Sequence, residues 1–204
     1  MKQRTLAVVS AGLSQPSSTR LLADQLSAAA VSAADRLGVR LEVRVIELRD
    51  LAHDIANHLL TGFPPAALKE ALETVEGADA LIAVSPIFNA SYSGLFKSFF
   101  DVLDKDALAD KPVLIGATAG TARHSLALEH ALRPMFGYLR AVTVPTAVFA
   151  ASDDWGGDSA EGALRVRIDR AAAELAREIE RREPVQVADP FELTTSFADL
   201  LANT

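Results

Sequence analysis

Short, continuous apolar runs alternate along the chain with longer stretches of helical periodicity. Five runs read as buried strands: residues 5–10 (TLAVVS), 41–48 (LEVRVIEL), 80–85 (ALIAVS), 112–117 (PVLIGA) and 141–148 (AVTVPTAV). Continuous apolar runs of this length suit parallel strands covered on both faces. Amphipathic or alanine-rich segments at about residues 18–37, 65–77, 93–104 and 124–139 are predicted helices, and a last helix is predicted over about 159–183. Gly38 is a good stop for the first helix, and Pro184 closes the last. This alternation predicts βαβ units: a three-layer α/β/α sandwich on a five-stranded parallel sheet. Right-handed crossovers place helices on both faces, and the strand order is either 2-1-3-4-5 or that of a Rossmann half. In both, a ligand sits at the carboxyl ends of the strands, which directs attention to the loops after strands 1, 3 and 4.

A chain of 204 residues buries roughly 70% of its unfolded surface, enough for one core. One domain over residues 1–183 is expected, with residues 184–204 as a strap on that domain or on a neighbouring subunit. With 20 Lys+Arg against 27 Asp+Glu the net charge is −7, which disfavours nucleic acid and anionic membranes as partners. The absence of Cys excludes disulfides, thiolate metal sites and thiol catalysis, and fits a cytoplasmic protein. Residues 1–9 are too short and too quickly polar for a secretory leader. No apolar run reaches the ~18 residues of a membrane span.

The loop after strand 1 carries Ser10, Ser14, Ser17, Ser18 and Thr19 immediately ahead of helical periodicity. Free N–H groups and the positive end of the dipole make a helix N-terminus an anion site, which hydroxyls complete. Ser17 or Ser18 could equally serve only as the helix cap, and the residues alone leave both readings open. Neither a P-loop motif nor G-x-G-x-x-G occurs, which argues against an NTPase or a standard Rossmann dehydrogenase. After strand 3, Pro86 stiffens a loop whose peptide N–H groups over residues 87–89 are expected to face a planar heteroaromatic edge. Phe96, Phe99 and Phe100 have the spacing of a buried helix face.

That loop is also the most distinctive motif in the chain. Pro86-Ile87-Phe88-Asn89-x-Ser91-x-Ser93-Gly94-x-x-Lys97-x-x-x-Asp101 resembles the P-x-Y-N-x-S-x-P-G-x-L-K-N-x-x-D signature of the NADPH-dependent FMN reductases, which have a flavodoxin-like fold with strand order 2-1-3-4-5. The resemblance runs on through Gly116 to Gly120 and to about Val148, roughly three quarters of the chain. It implies that Ser10, Ser17, Ser18 and Thr19 hold the FMN phosphate and that Pro86, Ile87, Phe88 and Asn89 line the isoalloxazine. Thr118, Ala119 and Gly120 would close the other side of the ring's polar edge. The family often carries an Arg soon after strand 1, where this chain has Gln15 and Pro16. Arg20 and Arg123 are the substitutes considered as basic phosphate partners. Phe88 stands in place of the usual Tyr, and Ser93 in place of Pro.

The implied activity is hydride transfer from NADPH, or alternatively NADH, to FMN, with the cofactor carrying the chemistry and no side-chain nucleophile required. No nucleophile elbow or metal motif is present; His53 and His58 are five residues apart and read as structural. Asp153 and Asp154 read as a polar loop that places Trp155 over or near the pocket. That segment and Phe191 resemble the subgroup that supplies reduced flavin to luciferase-like flavin-dependent monooxygenases. The alternatives are a bound-flavin quinone, azo or metal-ion reductase and a flavodoxin-type electron carrier without NAD(P)H turnover. Proteins of this kind associate, and the helix bearing Phe96, Phe99 and Phe100 is the expected two-fold surface of a homodimer or homotetramer.

Overall fold

The computed structural model describes residues 1–156 and 158–185. Strand β1 (Lys2–Ser10) lies inside the sheet and is followed by α1 (Ser18–Arg36) and β2 (Val39–Glu47), which pairs in parallel along all of β1. Helices α2 (Ala52–Thr61) and α3 (Ala66–Gly77) lead to β3 (Ala80–Phe88) on the other side of β1. A two-residue strand, β4 (Ser91–Tyr92), folds back on the end of β3 before α4 (Gly94–Asp101) and β5 (Pro112–Ala119). The remainder comprises α5 (Arg133–Tyr138), β6 (Val142–Thr143), β7 (Val148–Ala151) and α6 (Asp158–Glu180). The sheet order is β2-β1-β3-β5-β6, with β7 also parallel to β5. Taking β6 and β7 as halves of one strand, this is the expected flavodoxin-like 2-1-3-4-5 order.

Side chains alternate across each strand, and both faces are covered. Ala7, Val9, Leu81 and Ile115 pack against α3, α4 and α5, whereas Leu6, Val8, Ile82 and Leu114 pack against α1 and α6. This explains why the strands read as unbroken apolar runs. Phe96, Phe99 and Phe100 lie in the first layer with Phe136; Phe100 and Phe136 meet edge to face at 5.1 Å between ring centroids. These rings are internal, so they do not supply the subunit surface expected of that helix.

Three other expectations are corrected. Helix α2 was not predicted; it is short and only Ile55 of its residues is buried. The fifth strand is interrupted at Pro145, which cannot donate to a ladder. The carbonyls left out of the ladder there are satisfied by Arg133, which donates to those of Val144 (3.0 Å) and Pro145 (3.0 Å), while Glu174 accepts from the Thr146 N–H at 2.7 Å. The helix expected over residues 124–139 instead opens as a wide π-type turn at Leu128–Leu132. Pro134 has no N–H for the i−4 carbonyl, which disfavours a regular α-turn ahead of it. The strap expected over residues 184–204 lies, from residue 186 onward, outside the described residues. Among the described residues no helix is long and apolar enough to cross a membrane.

At the amino edge of the sheet, Lys111 is only 4% exposed. Its ammonium donates to the carbonyls of Glu76 (2.8 Å) and Val75 at the end of α3, the negative pole of that helix. Burial nevertheless pushes the amine down from 10.5 to about 8, outweighing the opposing pull of Glu76 and Asp79. Between these values only the unfolded chain retains the proton, so stability rises with pH from about 8 to 10.5. The gain is at most about 3 kcal/mol. Urea titrations across this window test it: the slope should disappear in Lys111→Met, and equal slopes in both proteins would exclude Lys111 as its source.

Candidate active site

The loop after β1 turns back on itself before α1. Ser17 is the N-cap, its Oγ accepting from the Arg20 N–H at 3.2 Å. The first-turn N–H groups of Ser18 and Thr19 have no helical partner, and no acidic side chain stands in that turn. Gly12 packs so closely over this turn that a Cβ there would overlap Ser17 Oγ and approach Thr19 Cβ at 3.1 Å. Below the loop, Ser10 Oγ is buried without a hydrogen-bond partner among the described residues. Thr19 Oγ1 and Thr118 Oγ1, both buried, share a hydrogen bond of 2.8 Å that ties the start of α1 to the end of β5.

The opposite wall is the hairpin of β3 and β4. Ile87 pairs with Tyr92 and Phe88 with Ser91, leaving Asn89 (φ 49°) and Ala90 (φ 69°) as a two-residue turn with positive φ at both positions. This pairing engages backbone that was expected to be free over residues 87–89, so the polar edge offered there is narrower than anticipated. Buried Ser85 fastens the base of the hairpin: its Oγ accepts from the Ser93 N–H at 3.0 Å and donates to the Pro86 carbonyl at 2.8 Å. Ser93 then caps α4 by accepting from the Phe96 N–H at 3.2 Å. A proline in place of Ser93 could make neither contact, so the departure from the family pattern has a local structural use.

Between these walls lies a cleft of about 360 Å³ at the carboxyl edge of the sheet. The structure brings Ser18 and Thr19, Pro86 to Phe88, and Thr118 to Gly120 together around it. Trp155 lines it as expected, on a 3-10 turn (Ser152–Trp155) anchored by Asp154, which accepts from the Ala151 N–H and from Arg167, each at 2.8 Å. Four expected residues lie elsewhere: Ser10 beneath the loop, Ser17 in the cap, Asn89 at the hairpin tip and Arg123 in an adjoining pocket. Leu13, Ser14 and Ser152 also line the cleft. Ser152 was not legible because β7 continues three residues beyond the run that ended at Val148. Among the described residues no formally charged side chain lines the cleft, and Arg20 is held by Asp24 (2.8 Å) and Glu47. Among the described residues there is no group of three His, Asp or Glu side chains placed to hold a metal ion.

A doubly wound parallel sheet with a hydroxyl-rich helix N-terminus and a cleft at its switch point defines a flavodoxin-like fold. Comparison with known proteins carries this further. Residues 4–156 match the NADPH-dependent FMN reductase family. An FMN reductase (NADPH) of Pseudomonas aeruginosa is 38% identical over 174 residues, 82% of this chain and 90% of that protein. The NADH-dependent FMN reductase SfnE of Pseudomonas putida is also 38% identical over 174 residues, covering 84% of this chain and 89% of its own. The crystal structure of an oxidoreductase from Corynebacterium diphtheriae superimposes with a TM-score of 0.86 at 49% identity, covering 90% of this chain and all of that one. The chain belongs to the NADPH-dependent FMN reductase family, and it is an oxidoreductase that uses FMN and NAD(P)H.

Proposed function

We propose that FMN lies in this cleft with its phosphate on the first turn of α1 and its ring between the loops after β3 and β5. The observation that carries the reading is the first turn of α1, whose Ser18 and Thr19 line the cleft with N–H groups that have no helical partner, in a loop where only Gly12 allows the chain to pack this closely on Ser17 and Thr19. Ser14, Ser18 and Thr19 would hold the phosphate, Ser17 would fix the helix start, and Ser10 would offer its free hydroxyl from below. Pro86, Ile87 and Phe88 would line one side of the ring, with Asn89 shaping the turn, and Thr118, Ala119 and Gly120 the other. Bound FMN supplies the redox chemistry by accepting a hydride from the nicotinamide. Among the described residues no carboxylate, imidazole or amine lines the cleft, so the residues orient the two rings and shield them.

The uncharged cradle bears on the fate of the flavin. Hydrogen bonds from neutral donors to the charged phosphate contribute about 1.5–3 kcal/mol each, and among the described residues no cationic side chain of the cleft adds an ion pair to them. The missing ion pair supports FMN as an exchanging substrate, released reduced to a flavin-dependent monooxygenase, over a permanently held group. A dimer or tetramer in the cytoplasm fits the exposed apolar Leu59 and Leu60 on α2, Phe63 just after it, and the absence of Cys. Residues 1–183 would form the catalytic domain and residues 184–204 its strap. NADPH oxidation by flavin-stripped protein should depend on added FMN and saturate in the micromolar range, about −8 kcal/mol of binding. FMN binding without NADPH or NADH turnover would instead leave an electron carrier.

A further inference from the structure

The loop after β5 runs on from the flavin cleft into a second pocket, of about 300 Å³, against the tip of the β3–β4 hairpin. Arg123, His124 and His130 stand around it, with Ala90, Leu126 and Ala127 as apolar surface. The two sites adjoin through both walls: Ala90 is two residues beyond Phe88, and Arg123 three beyond Gly120. At 3.8 Å between consecutive Cα atoms, these offsets are at most about 8 and 11 Å, within the span of one dinucleotide.

Its chemistry contrasts with the rest of the surface. The chain carries a net charge of −7, yet among the described residues no carboxylate lines this pocket. The Arg123 side chain makes no hydrogen bond or ion pair with any described residue, whereas Arg20, Arg133, Arg140 and Arg167 all hold carboxylates. Its backbone is set by Thr121, whose Oγ1 accepts from the Arg123 N–H at 3.4 Å. Leu126 remains 64% exposed beside it, an apolar surface with no partner among the described residues. A planar guanidinium without a counter-ion, flanked by two imidazoles and an apolar patch, matches a phosphorylated ribose joined to a purine.

We infer that this pocket takes the adenosine 2′-phosphate of NADPH, that Arg123 is its charge partner with His124 and His130 as flanking donors, and that the pocket therefore sets a preference for NADPH over NADH. The inference rests on FMN occupying the neighbouring cleft, from which the nicotinamide must be reached. It assigns Arg123 to the pyridine nucleotide instead of the flavin phosphate.

Calorimetric titration of 2′,5′-ADP and of ADP tests the pocket without turnover, on the FMN-loaded and the flavin-free protein. The bisphosphate is expected to bind at least about tenfold more tightly, and Arg123→Gln to reduce the difference to within about twofold, with Arg123→Lys restoring part of it. In turnover, the ratio of kcat/KM for NADPH to that for NADH should fall about tenfold in Arg123→Gln. Equal affinities in the wild type, or undiminished discrimination in Arg123→Gln, would overturn the inference. So would inorganic phosphate competing as well as 2′,5′-ADP, which would mark a general anion site. Flavin-fluorescence quenching separates the two readings. If wild-type protein fails to quench FMN, the flavin assignment fails while the nucleotide titration still reports; if Arg123→Gln loses quenching but keeps discrimination, Arg123 belongs to the flavin.

Discussion

Gly12→Val is expected to weaken FMN binding by roughly a hundredfold or more, the equivalent of two or three hydrogen bonds to a charged group, while leaving the chain folded. The reason is geometric. Even the first added carbon overlaps Ser17 Oγ and sits 3.1 Å from both Ser17 Cβ and Thr19 Cβ. Ser17 must then leave the cap position from which it accepts from the Arg20 N–H, at a cost of about 0.5–2 kcal/mol. The larger valine side chain also pushes on Thr19 and so displaces the first turn of α1, where the phosphate would be held. Gly12→Ala should show an intermediate loss. Flavin-fluorescence quenching gives the affinity, and thermal unfolding reports how much of the loss is structural. Unchanged FMN affinity in a folded Gly12→Val protein would place the phosphate elsewhere.

The same cradle shows how sequence and structure divide the information. The loop's hydroxyls were visible in the sequence, but their separate duties were not, because capping and phosphate binding call for the same residue types at the same place. Only the backbone path shows Ser17 turned into the cap and Gly12 pressed over it. The central strands were legible because both of their faces are covered, which forces continuous apolar runs. Helix α2 was not, since it is short and buries a single side chain. The break in the fifth strand was written in Pro145, although the ion-rich repair by Arg133 and Glu174 comes from residues distant in sequence. Arg123 is a case in which the sequence leaves the destination open. Its number in the chain places it after β5, but only the fold shows that the loop has by then left the first cleft for the next pocket.

Phe96→Ala is expected to destabilise the protein by about 3–5 kcal/mol, the usual range for removing a fully buried phenyl ring. Phe96 is completely buried and lies against Phe100 at 4.8 Å, Tyr92 at 5.9 Å and Phe136 at 6.3 Å between centroids. These partners come from β4, α4 and α5, so one ring ties the hairpin wall of the cleft to two helices. Collapse into the cavity would have to move the hairpin, and Ser85 and Ser93 pin its base. The destabilisation should therefore appear in full in urea denaturation, accompanied by weaker FMN binding as Pro86 to Phe88 lose their support. Sedimentation on the same variant distinguishes the core from a subunit surface. A buried ring leaves the association state of the folded protein unaltered, whereas an interface ring would change it with little effect on unfolding. The second outcome would mean that α4 turns its phenyl groups outward in the assembled protein, contrary to the packing seen here.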